Sequence, residues 1–156
     1  MNPLLRLAFN LYRLKWRIMR PITLGVRIML IANEEIVLVR HTYQAGWQFP
    51  GGGMKRGETT VQAAQREAGE EVGARLLRAP ALFGLYTNVA EGKTDHIALF
   101  LSEDFVLEQP TDRWEIQECR SFPLAAIPQG LGPGYRRRIG ELDRYRQQCA
   151  PMMGWW

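Results

Sequence analysis

From Gly52 to Ala74 the chain reads G-x5-E-x7-R-E-A-x-E-E-x-G-A, and this run constrains the fold more than any other. It describes a loop feeding a helix. Pro50-Gly51-Gly52-Gly53 can neither propagate a helix nor sit in a central strand, and the glycines let backbone approach a ligand closely. A helix is expected to begin near Thr59, with Thr59 or Thr60 as N-cap, and to run to Gly73 as a C-terminal glycine. On that helix Glu67, Glu70 and Glu71 project from roughly one face, and Val61, Ala64, Ala68 and Val72 supply an apolar face opposite.

Three carboxylates at this spacing repel one another by about 0.2–0.5 kcal/mol per pair, so a purely structural helix gains nothing from them. A divalent cation reverses that sign. Hard oxygen ligands beside backbone carbonyls suit magnesium or manganese, ions that keep several waters and favour phosphate-bearing partners. Arg66 adds a guanidinium expected to pair with Glu58 or Glu67 and to orient a carboxylate. An isolated E-x-x-E-E is usually a solvated acidic face. The glycine loop, Glu58 and Arg66 in register argue against that reading here.

These residues resemble the signature of the Nudix hydrolases and match every charged and glycine position of that box. Ala68 and Ala74 stand where the family usually has larger aliphatic residues. The resemblance implies an α/β fold, an α/β/α sandwich with a mixed sheet, and hydrolysis of a nucleoside diphosphate linked to another moiety. It also implies Glu67 and Glu71 as principal metal ligands, Glu70 as an additional one, the Gly51 carbonyl completing the site, and Glu58 and Arg66 as a supporting pair. The catalytic base is expected to be Glu67. An acid on a later loop is the alternative, with Glu115 ahead of Glu118, Glu91 and Asp95.

The rest of the chain agrees on its own terms. At 156 residues it is long enough for one core and short for two domains. Thr23 to Ala32 and Ile36 to His41 read as a hairpin around Asn33-Glu34-Glu35. Ala81 to Ala90 and Thr94 to Ser102 read as a second, and Ile116 to Phe122 as a further strand. A short helix near Leu124 to Ile127 and a longer one from about Tyr135 to Gln148 complete the expected domain, residues 21–148, with 149–156 as an apolar tail.

Charge is unevenly spread. Residues 1–20 hold Arg6, Arg13, Lys15, Arg17 and Arg20 with no acid, whereas the remainder carries 15 basic and 16 acidic residues. No specific nucleic-acid partner is therefore expected of the body. Leu4, Leu7, Leu11, Leu14 and Ile18 form one apolar row in this first segment, beside Leu5, Phe9, Tyr12, Trp16 and Met19. The pattern predicts a basic amphipathic helix, too polar to span a bilayer and unlike a secretory signal. It could pack on its own domain, on a second copy of the chain, or on an anionic membrane surface.

Candidate substrate contacts are Arg40, His41, Tyr43, Trp47, Gly52 and Gly53. His41 ends a strand, where a surface position competes with a phosphate contact. Tyr43 and Trp47 could stack on a base or fill the core. Arg136-Arg137-Arg138 is a solvated face by default. Cys119 and Cys149 form no cysteine/histidine cluster, which fits a reducing, cytoplasmic setting and argues against zinc. The expected partner is a nucleotide-type small molecule. The readings that compete with an enzyme are a non-catalytic Nudix-like nucleotide sensor and a module that docks on a membrane or partner through its first helix. No short motif outside the box selects a particular substrate.

Overall fold

The computed structural model describes residues 19–90, 92–110 and 114–156. The expected amphipathic helix therefore lies, up to residue 18, outside the described residues. Six strands form one mixed sheet, in the order β7 (Ile116–Pro123), β2 (Glu35–His41), β1 (Ile22–Ala32), β5 (Lys93–Ser102), β4 (Ala81–Ala90), β8 (Met152–Trp155). β1 pairs with β5, and β4 with β8, in parallel; the remaining pairs are antiparallel. β3 (Ala74–Leu76) and β6 (Phe105–Leu107) make a separate two-stranded ribbon.

Helices cover both faces. Helix α1 (Thr60–Val72) packs Ala63, Ala64, Ala68 and Val72 against Val26, Ile28, Leu30, Val37, Val39 and Phe100. On the other face α2 (Pro133–Gly140) and α3 (Leu142–Gln148) close over Met29, Ile31, Leu38, Phe49, Phe83 and Leu99. The result is the expected α/β/α sandwich.

Of the two threonines expected as N-cap, Thr59 takes the position. Thr59 Oγ1 accepts from the Gln62 amide at 3.2 Å, and Gln62 Oε1 accepts from the Thr59 amide at 2.8 Å, a complete capping box. Gly73 ends the helix at φ +69°. Thr59→Ala should lower the unfolding free energy by about 1 kcal/mol, read as a shifted urea midpoint with unchanged slope.

Three elements differ from expectation. The first hairpin is split. β1 and β2 pair only at Ile31/Ile36 and Ala32/Glu35. Beyond that point the segment from Trp47 to Gly53 occupies the gap. Val26 and Ile28 donate to the carbonyls of Gly52 and Pro50, while Val39 and Gln48 exchange bonds across the other side. The glycine loop, expected to stay clear of any central strand, thus lies in the plane of the sheet. Next, the helix expected from Tyr135 to Gln148 is two helices. It starts two residues earlier, with Pro133 in the first turn, and breaks at Gly140-Glu141, where Glu141 donates to Arg138 in a tightened turn. Finally, residues 152–155 of the apolar tail form the edge strand β8.

Candidate active site

The acidic helix face is assembled by the glycine loop. Glu67 and Glu71 do not stand opposite the apolar stripe of α1, as the sequence suggested. They lie beside Ala64 and Ala68 and are themselves buried, at 9% and 4% exposure. Glu71 is fixed from two sides. Its Oε2 accepts from the Gly51 amide at 2.9 Å, and its Oε1 meets His41 Nε2 at 2.9 Å. His41 is accordingly a buried residue (3% exposed), not a surface one, and its Nδ1 has no hydrogen-bond partner among the described residues. Helix, loop and β2 therefore meet at one carboxylate.

Glu67 faces Gly52 so closely that a Cβ at Gly52 would stand 2.7 Å from its Oε1. Burial, and behind it the charge of Glu71, pushes the Glu67 carboxyl above the usual carboxylate range against the pull of Arg66. Arg66 binds Glu58 through Nε (3.1 Å) and Nη2 (2.8 Å), Glu67 at 2.7 Å, Glu70 at 3.0 Å, and the Gly53 carbonyl at 3.1 Å. Both partners expected for it from sequence are engaged at once. The Arg66 hydrogen bonds, reinforced by the Lys55 amide, hold the Glu58 carboxyl down to about 2. This clamp therefore stays ionised until strongly acid pH.

Gly52 is shared between the carboxylates and a cleft of about 630 Å³. Gly53, Met54, Tyr43, Gln44 and Gln48 line the cleft together with Asn88, Lys93 and Asp95 from β4 and β5. Asp95 accepts from Thr23 at 2.7 Å and from Lys93 at 3.1 Å. Tyr135 and Trp156, edge to face at 5.0 Å, form an aromatic wall. Arg27 adds a guanidinium that donates to the carbonyls of Phe49 (3.2 Å) and Gly51 (2.5 Å).

Of the sequence-derived candidates, Glu58, Arg66, Glu67, Glu70, Glu71, Gly51, Gly52, Gly53, His41 and Tyr43 are brought together. Tyr43 stacks obliquely on His41 at 5.1 Å. Burial raises its phenol pKa, and the charge of Glu115 adds to this against the pull of Arg27. The Glu115 carbonyl accepts from the Thr42 amide at 2.8 Å, beside Tyr43. Glu91, a lesser candidate for the base, lies outside the described residues. Two of the expected substrate contacts lie elsewhere. Trp47 is 5% exposed and packs edge-on against Phe122, so it has no free face for a base. Arg40 points to the opposite side of β2 from His41, stacks over Trp47 at 4.5 Å and pairs with Glu118. Alternation along β2 separates Arg40 from His41. Sequence reasoning missed Arg27, Tyr135 and Trp156. A lone arginine inside the aliphatic run Leu24 to Ile31 was the available signal for the first.

The donors fit a divalent cation. All are hard oxygens, gathered on one helix face and the loop beside it. Among the described residues no three His, Cys, Asp or Glu side chains form a ready-made cage.

Comparison with known proteins agrees with this fold. A NUDIX domain model matches residues 21–142. An RNA pyrophosphohydrolase of Psychromonas ingrahamii is 46% identical over 43 residues, 28% of this chain but only 24% of that protein's length. Among solved structures, a MutT NUDIX hydrolase from Burkholderia pseudomallei superposes with a TM-score of 0.70 at 21% identity, covering 78% of this chain and 98% of that one. A NUDIX hydrolase from Nitrosomonas europaea gives 0.66 at 21% identity, over 86% and 78%. A Bacillus subtilis pyrophosphohydrolase also gives 0.66 at 21% identity, over 77% and 80%. With a family model spanning most of its length, and the fold and box in place, this chain belongs to the Nudix family.

Proposed function

We propose that this chain hydrolyses a pyrophosphate bond in a nucleoside diphosphate linked to another moiety, by attack of water at phosphorus. The observation that carries the reading is the buried pair Glu67 and Glu71, set against a glycine loop that opens onto the cleft. Glu67, Glu71, Glu70 and the Gly51 carbonyl would hold Mg2+ or Mn2+. Such a cation supplies neutralisation of phosphate charge and acidification of water. Arg66 and Glu58 keep the carboxylates in place. Glu67 is the first choice to take the proton from the attacking water, and Glu115 is the second. Arg27 contributes fixed positive charge to the cleft, and Tyr135 and Trp156 offer aromatic surface to a base.

The test is a screen of nucleoside triphosphates, nucleotide sugars, dinucleoside polyphosphates, capped RNA and triphosphate-ended RNA, each with magnesium or manganese. RNA is included because one relative is an RNA pyrophosphohydrolase. Metal-dependent release of phosphate or nucleotide is expected from at least one class. Tight binding without turnover would instead favour a nucleotide sensor.

His41 gives a separate check on the metal assignment. His41→Asn removes the group meeting Glu71 Oε1 and should weaken divalent-cation binding about 10–100-fold, measured by titration of the substrate-free protein. Unchanged affinity would remove Glu71 from the ligand set.

A further inference from the structure

Helix α1 lies over β1, β2, β5 and β7 on its side of the sheet. Further along that same face, toward β4 and β8, a set of apolar side chains points outward. On β1 the residues facing α1 are Val26, Ile28 and Leu30, so Leu24 and Ile22 point the same way. Ile22, Leu24 and Val26 lie opposite Thr94, His96 and Ala98 of β5, which pair in turn with Val89, Thr87 and Leu85 of β4. Leu85 and Thr87 pair with Met153 and Trp155 of β8. Ile22 and Leu24 of β1, Leu85 and Val89 of β4, and Met153 and Trp155 of β8 thus share one face, with Thr94 and His96 of β5 between them. All six apolar residues are exposed, Met153 at 84% and Trp155 at 71%. An apolar sheet face of this extent needs a covering layer.

We propose that residues 1–18 form that layer, folding back as an amphipathic helix on this face. The chain enters the sheet at the right place. Met19 has helical backbone, Arg20 is left-handed at φ +44°, and Pro21 follows, which is how a helix is stopped. The Pro21 carbonyl already accepts from the Thr94 amide at 3.1 Å, beside the patch. Two residues separate Met19 from Ile22, and so short a connection leaves a preceding helix little choice but to pack on the sheet it feeds. The sequence pattern matches too. Leu4, Leu7, Leu11, Leu14 and Ile18 recur at helical spacing, while Arg6, Arg13 and Arg17 fall on another stripe, free to face solvent. Eighteen helical residues span about 27 Å. Four strands are about 15–19 Å across, so one such helix crosses them all. Leu24 belongs both to this face and to the lining of the cleft, so the docked helix braces the cleft rim.

Hydroxyl-radical footprinting of the full chain, read by mass spectrometry, tests the proposal. Trp155 and Trp114 are 71% and 79% exposed in the structure and share one chemistry. Trp155 is expected to oxidise several-fold more slowly than Trp114, independently of protein concentration. A triple variant, L7E/L11E/L14E, should bring Trp155 up to the rate of Trp114. Equal rates in the wild type overturn the proposal, and that comparison stands even where the variant fails to fold. Protection that grows with concentration alongside a doubled sedimenting mass assigns the face to a second copy, and also overturns it. So does protection that appears only with anionic phosphatidylserine vesicles.

Discussion

Glu67→Gln is expected to lower turnover by about 10²–10⁴-fold, the range for losing a positioned acid–base group, and Glu71→Gln by orders of magnitude through a lost metal ligand, while the two move stability in opposite directions. In the cation-free protein Glu67 is a buried carboxylate whose proton is held more tightly in the folded than in the unfolded state. As pH rises between the two pKa values, the unfolded chain loses its proton first, so the folded state loses stability through that window. The penalty persists above it, and glutamine removes it. Glu67→Gln should therefore raise the thermal midpoint at neutral pH in the absence of divalent cation. The trade of stability for function is typical of residues placed for chemistry.

Glu71 is different because both its oxygens are in use. Gly51 donates to one, and His41 Nε2 meets the other. A glutamine offers only one acceptor, so its amide group must face the Gly51 N–H or force the histidine proton onto the unpartnered Nδ1. Glu71→Gln should cost about 1–3 kcal/mol of stability, the usual range for an unsatisfied buried group. Steady-state kinetics with saturating magnesium and calorimetry in chelator read the two effects separately. Near-normal turnover in both variants would end the metal-site assignment. The Glu67 shift adds a pH signature in chelator, where its carboxyl should titrate above the ordinary carboxylate value of 4.5; a bound divalent cation would draw it down.

The parts of this arrangement legible in the sequence are those where local pattern and tertiary role coincide. The capping box at Thr59, the glycine stop at Gly73 and the strands Ile22–Ala32 and Ala81–Ala90 follow from residue chemistry at short range. Elsewhere the decisive contacts are distant. Pro50-Gly51-Gly52-Gly53 carries no side-chain periodicity, so nothing local announces that its carbonyls complete the bonding of β1. Strand β8, Met-Met-Gly-Trp, lacks the β-branched residues that mark a strand and exists because β4 offers an edge. The Trp47 ring is a core residue because Phe122 and Arg40 pack on it, a fact set some 75 residues downstream as much as by its own loop. His41 looked like a strand-end surface group for the same reason. Its burial depends on Glu71, thirty residues away.

A graded series along the glycine loop should separate the backbone's structural task from its chemical one. At Gly51, φ is +142°, and a Cβ would stand 2.2 Å from the Val26 carbonyl and 2.8 Å from the Arg27 Cα. Both are backbone atoms of a central strand and cannot yield. Gly51→Ala should cost about 3 kcal/mol or more, from strain and overpacking together, seen as a large fall in the denaturation midpoint or as insoluble protein. One residue later the obstacle changes character. The three atoms nearest a Cβ at Gly52 all belong to the Glu67 carboxylate, the far end of a flexible side chain. Gly52→Ala should keep its stability within about 1–2 kcal/mol of wild type, within the cost of modest overpacking. Its turnover should fall toward that of Glu67→Gln, because the displaced carboxylate no longer faces the cleft. At Gly53 a Cβ meets nothing within 4 Å. Gly53→Ala should leave both stability and kcat near wild type, with any effect confined to KM, since this residue lines the cleft. Full turnover in Gly52→Ala would break the link between the loop and Glu67, since it would mean that the chemistry tolerates a carboxylate moved from the position the loop now fixes.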